Sequence, residues 1–96
     1  MRQLLVERIG EPATLELLAE ECTELAHAAL KLARKERGEN PTPVYLDDCH
    51  VSVVEEWADV IICLEQLEGL EWAGPERFNR IYEFKQKRLK ERIGAK

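Results

Sequence analysis

An all-α fold is predicted for this chain by three observations: apolar residues recur at spacings of three and four over long runs, helix breakers are few, and residues favouring strands are sparse. Only five Gly and four Pro occur in 96 residues, against a 45% hydrophobic and 34% charged composition that suits a helical globular protein rather than a disordered one. Sparse β-branched and aromatic residues disfavour sheets. A chain of this length makes one domain, residues 1–96, with a limited core of its own. The expected architecture is a long helix, a buried second helix and a basic last helix, assembling by dimerisation into a four-helix-bundle core.

Residues 2–9 hold Leu4, Leu5, Val6 and Ile9, enough for a short amphipathic helix ended near Gly10. Pro12 suits the first turn of the next helix, where its missing N–H costs nothing. Leu15, Leu18, Cys22, Leu25, Ala29 and Leu32 then set a stripe along a helix from about Pro12 to Arg37. Gly38 is its stop, and Lys31, Arg34, Lys35 and Arg37 oppose the negative end of its dipole. Pro41 and Pro43 make a break, and an ordered loop is expected to run to His50. Ser52-x-x-Glu55 has the form of a capping box, although Asp48 offers an earlier start. The helix that follows, to about Leu67, is apolar nearly all round from Trp57 to Leu64 and is expected to be the most buried. Gly74-Pro75 opens the last helix, to about Ile93, with Phe78, Ile81, Tyr82, Lys85, Leu89 and Ile93 roughly on one face.

The net charge of −5 hides an asymmetry. Residues 1–74 carry six Lys or Arg against 16 Asp or Glu, a net of −10, whereas residues 75–96 carry eight against three, a net of +5. An acidic body repels nucleic-acid polymers, so direct binding to them is not expected, although a cation bridging carboxylates to phosphates reverses that repulsion. The three cysteines, Cys22, Cys49 and Cys63, form no Cys-x-x-Cys pair, and Cys22 and Cys63 lie in apolar runs as expected buried thiols. This usage fits a reducing cytoplasm. No apolar run is long enough for a signal peptide or a membrane span, so no membrane association is expected.

Charge laid against the leucine stripe is the anomaly. Glu21 has Leu17 and Leu25 one turn away on either side, where an unpaired carboxylate is costly. Glu20 instead shares a row with Glu16 and Glu24, as on a solvated face. The second helix repeats the pattern, because Glu56 lies beside Val53 and Val60, with Asp59 one turn on. Glu21 and Glu24, and Glu56 and Asp59, are therefore the expected inward pairs. Four converging carboxylates repel one another, and a hard divalent cation relieves this; oxygen-only ligation suits Mg²⁺, with Mn²⁺ as an alternative.

Glu20-Glu21-x-x-Glu24 followed by Glu56-x-x-Asp59 resembles the paired motif of the MazG-like all-α nucleoside triphosphate pyrophosphohydrolases. The likeness covers roughly residues 12–93. The interval between the motifs, residues 25–55, is long for that family, which makes the proline-containing loop a feature of this branch. The resemblance places metal ligands at Glu21, Glu24, Glu56 and Asp59. It implies Mg²⁺-dependent hydrolysis of an NTP or dNTP to the monophosphate and pyrophosphate, with the ion lowering the pKa of the attacking water. Glu20, or one of the liganding carboxylates, takes the proton. Basic residues of the last helix contact the triphosphate in that family, and Lys85 and Arg88 are the matching positions, with Arg92 one turn further. Asn79 is the candidate for hydrogen bonding to the base, while Trp57 is expected in the core. A homodimer or homotetramer follows from a second helix too apolar for one chain to enclose.

Two rival readings stand beside this one. Glu24-Leu-Ala-His27 is a Glu-x-x-His, the element of di-iron carboxylate bundles, and a symmetric dimer supplies the second copy such a site needs. The other is a non-catalytic helical module whose acidic face binds a basic partner.

Overall fold

A computed structural model describes residues 4–39 and 45–94; the loop expected around Pro41 and Pro43 lies outside the described residues. The described residues are helical, with no strand among them, in the order α1 (Leu4–Ile9), α2 (Glu11–Arg37), α3 (Leu46–Leu67), a 3₁₀ turn (Glu71–Ala73) and α4 (Pro75–Arg92). The chain divides into two compact units, Met1–Gln66 and Leu67–Lys96. No helix among the described residues is long and apolar enough to cross a membrane.

In the first unit, α1 and α2 are separated by Gly10 alone, at φ 86° and ψ 164°, a region only glycine enters freely. Its carbonyl accepts both the Thr14 amide, at 3.1 Å, and the Thr14 hydroxyl, at 2.8 Å, and Thr14 is fully buried. A Cβ at Gly10 meets nothing nearer than Pro12 Cδ at 3.9 Å, so any penalty is in the backbone rather than in packing. Gly10→Ala is accordingly expected to lower stability by about 1–3 kcal/mol, read as a shift in the urea midpoint.

α1 is held at its far end too. The Leu5 amide, one of the first-turn donors with no partner inside its helix, donates to Oε1 of the buried Gln66 at 3.0 Å. α2 ends as the sequence indicates: Gly38 adopts φ 75°, its amide donates to the Lys35 carbonyl, and the Glu39 amide to the Arg34 carbonyl. That pair of bonds is a Schellman motif, closed by glycine.

α3 starts earlier than expected, at Leu46, with Asp47 and Asp48 in its first turn. Two carboxylates there complement the positive end of the helix dipole, which extends the helix through residues expected in a loop. Ser52 and Glu55 consequently fall inside α3 and form no capping box. α3 runs antiparallel to α2: His50, near its start, lies 3.6 Å from Glu36, near the end of α2, and Glu56 meets the middle of α2.

Burial corrects three further expectations. α3 is the most buried helix among the described residues, as expected, holding Cys49, Val60, Cys63 and Leu67, yet Val54, Ile61, Ile62 and Leu64 are exposed, and Trp57 is 58% exposed rather than in the core. Cys22 is exposed, whereas Cys49 and Cys63 are buried, and all three thiols are free. The inward face of α2 is also rotated from the expected stripe. Leu15, Cys22 and Ala29 are exposed, while Leu18, Glu21, Leu25, Ala28 and Leu32 are half-buried. Thr14, satisfied by Gly10, occupies the inward face at the helix start and draws it toward Glu21.

In the second unit, the Leu70 amide donates to Leu67, the Ala73 amide to Leu70 and the Phe78 amide to Gly74, carrying the chain through the 3₁₀ turn into α4 with Pro75 in its first turn. The turn itself went unforeseen. α4 has no buried residue; Phe78 and Tyr82 stack with centroids 5.6 Å apart, and the Arg88 guanidinium sits 5.8 Å from the Phe84 ring centroid.

Candidate metal centre

Glu21 and Glu24 are one turn apart on α2, and Glu56 comes from the middle of the antiparallel α3. One carboxylate oxygen from each lies within 4.8 Å of the others. The grouping contains oxygen donors only. Oε2 of Glu21 and Oε2 of Glu56 are wholly buried with no hydrogen-bond partner, although the residues are only half-buried overall. Two orphaned anionic oxygens converging with a third carboxylate are unfavourable unless a proton or a cation lies among them.

Protons answer part of this. Removal from water pushes the Glu21 carboxyl up, and the charges of Glu24, Asp59 and Glu56 add to it. The Glu56 carboxyl is raised in the same way, first by loss of solvent, then by Glu24, Asp59 and Glu55. The Cys63 thiol is also pushed up, by burial and then by Glu21, Asp59 and Cys22, which makes it a structural thiol beside the cluster rather than a nucleophile. Its spacing, four residues after Asp59 and seven after Glu56, was the available sign that it would sit there.

The sign of the stability effect follows. Glu21 and Glu56 bind protons more tightly folded than unfolded, so the folded state holds more protons in the window from the ordinary carboxyl value of 4.5 up to their raised values. The metal-free protein is therefore expected to lose stability as pH rises through that window. Melting temperature in EDTA across pH 4–8 checks this; a rise over the same window contradicts it.

Of the expected ligands, Glu21, Glu24 and Glu56 are brought together. Asp59 is exposed and outside the 4.8 Å grouping, yet close enough for its charge to raise both Glu21 and Glu56. Glu20 is exposed. His27 is exposed and not part of the grouping, so the Glu24-x-x-His27 element contributes one oxygen and no nitrogen. Lys85, Arg88 and Asn79 are exposed residues of α4; Lys85 and Arg88 line a shallow groove with Leu89 and Arg92.

No family model, curated protein or solved structure matches this chain.

Proposed function

We propose that the chain is a Mg²⁺-dependent nucleoside triphosphate pyrophosphohydrolase, cleaving an NTP or dNTP to the monophosphate and pyrophosphate. The observation that carries the reading is the convergence of Glu21, Glu24 and Glu56 within 4.8 Å with two buried, unpartnered oxygens. Their donor chemistry fits a hard cation, Mg²⁺ or Mn²⁺, and the spacing Glu20-Glu21-x-x-Glu24 with Glu56-x-x-Asp59 resembles the MazG-like motif pair.

In this reading Glu21, Glu24 and Glu56 hold the ion and Asp59 completes the set. The bound ion would supply charge neutralisation at the phosphates and an acidified water. Glu20, solvent-facing and adjacent in sequence to Glu21, would take a proton from the attacking water and hand it to solvent. Lys85 and Arg88 bind the triphosphate, Arg88 in the two-pronged manner a guanidinium allows, and Asn79 hydrogen-bonds to the base.

Two copies pair through the exposed α3 lane of Val54, Trp57, Ile61 and Leu64 to form the shared four-helix core. The support is the thin interior: among described residues only Cys49, Val60, Cys63 and Leu67 are buried apolar side chains, too few for a chain this size to stand comfortably alone. A cytoplasmic location fits the free thiols.

A panel of ordinary and modified NTPs and dNTPs with Mg²⁺, assayed for pyrophosphate, tests the activity. Release from at least one substrate, abolished by EDTA, is expected. No release from any of them sinks the reading.

A further inference from the structure

His50 stands between two carboxylates that come from different helices, all within the first unit. Its Nε2 is 3.6 Å from Oε1 of Glu36, in the last turn of α2, and its Nδ1 is 4.0 Å from Oδ1 of Asp47, in the first turn of α3. Each ring nitrogen therefore has an acidic oxygen within ion-pair reach. The His50 side chain is 48% exposed and that of Glu36 54%, so neither is cut off from protons in solution.

A neutral imidazole carries one N–H and one lone pair. Set between two carboxylates, it attracts one of them and turns its lone pair toward the other. The imidazolium donates from both nitrogens and attracts both. The helix dipoles and the neighbouring charges favour the same state. Glu36 lies at the negative end of α2, which suits a cation beside it. The positive end of α3, which opposes one, already has Asp47 and Asp48 in its first turn. Arg37, next to Glu36 in the chain, is paired with Glu39 at 3.4 Å.

We propose that His50 is a proton-operated clasp: its imidazolium ties the last turn of α2 to the first turns of α3, and loss of the proton loosens that end of the pair. Imidazoles ordinarily titrate between about pH 5 and 8, so the clasp is closed toward the acid end of that range and open toward the alkaline end. Its stabilisation is present at low pH and lost as pH rises. Ion pairs this exposed are individually weak, which makes the effect local and modest. His50 lies six residues before Glu56, and the clasp depends on neither the metal nor a second copy.

Paired measurements on the wild type and His50→Gln in EDTA, at pH 5.5 and pH 8, test it. At pH 5.5 the wild type is expected to melt about 2–4 °C higher than the variant. The Cys49 amide, which donates to the Tyr45 carbonyl at 3.3 Å and closes the first turn of α3, is expected to exchange at least about 3-fold more slowly in the wild type. At pH 8 both differences are expected to vanish. Comparing the two chains at one pH cancels the titration of Glu21 and Glu56, which both chains share. In a Glu36→Gln background the effect of His50→Gln at pH 5.5 is expected to fall by at least about half, because the cross-helix partner is gone. Equal differences at the two pH values would make the ring a packing element and overturn the clasp. So would the absence of a difference at pH 5.5, or an effect that Glu36→Gln leaves undiminished.

Discussion

Glu21→Gln and Glu56→Gln are each expected to lower pyrophosphate release by at least about 100-fold while leaving the metal-free fold intact or more stable. Residues merely supporting a metal's ligands already cost 10–100-fold when removed, so loss of a ligand costs at least the upper end of that range. The opposite movement of stability is the more diagnostic half. Each carboxyl keeps one oxygen buried without a partner, and each is raised by lost solvation and by neighbouring carboxylates. A neutral amide of the same shape relieves that repulsion and can donate to Glu24. Kinetics with saturating Mg²⁺ and urea unfolding in EDTA, run on the same preparations, read the two halves. Loss of activity together with a clearly destabilised metal-free fold would instead make these residues structural.

Trp57→Glu is expected to convert the protein to a monomer. Trp57 is 58% exposed and sits between Val54 and Ile61 on one lane of α3, where a solvated monomer gains nothing from an indole. Truncating a central interface tryptophan typically costs 2 kcal/mol or more, and a buried charge adds to that, so the dissociation constant should rise by at least about 100-fold. Light scattering behind a sizing column reads the mass. An unchanged mass would remove this lane from the interface.

The sequence made much of this legible because the strongest signals were local. Pro12, Gly38 and Pro75 punctuate helices through their own backbone restrictions, and those boundaries hold to within a residue or two. The start of α3 escaped because Asp47 and Asp48 act through the helix dipole, while Ser52-x-x-Glu55 imitated a cap. The carboxylates were legible for a different reason. Glu21 beside Leu17 and Leu25, and Glu56 beside Val53 and Val60, were charges in the wrong place, and the fold turns both inward.

Burial was harder to read. Periodicity places Cys22 and Trp57 on apolar faces, but not which apolar face meets the rest of the chain. α2 and α3 each have more apolar circumference than their mutual contact uses. That surplus left Trp57 outside the core, and it is also why a second copy enters the account. The position of Cys63 beside the carboxylates needed the antiparallel register of α2 and α3, which the sequence alone does not set.

The central claim is that Glu21, Glu24 and Glu56 form a divalent-cation site. Titration calorimetry with Mn²⁺ tests it most directly, performed at pH 5 and pH 7 in two buffers of different ionisation enthalpy. Saturable binding is expected, stronger at pH 7, accompanied by proton release because the raised carboxyls must give up their protons to the ion, and lost in both Glu21→Gln and Glu56→Gln. Absence of saturable binding by the wild-type chain, or binding that both variants retain, contradicts the claim.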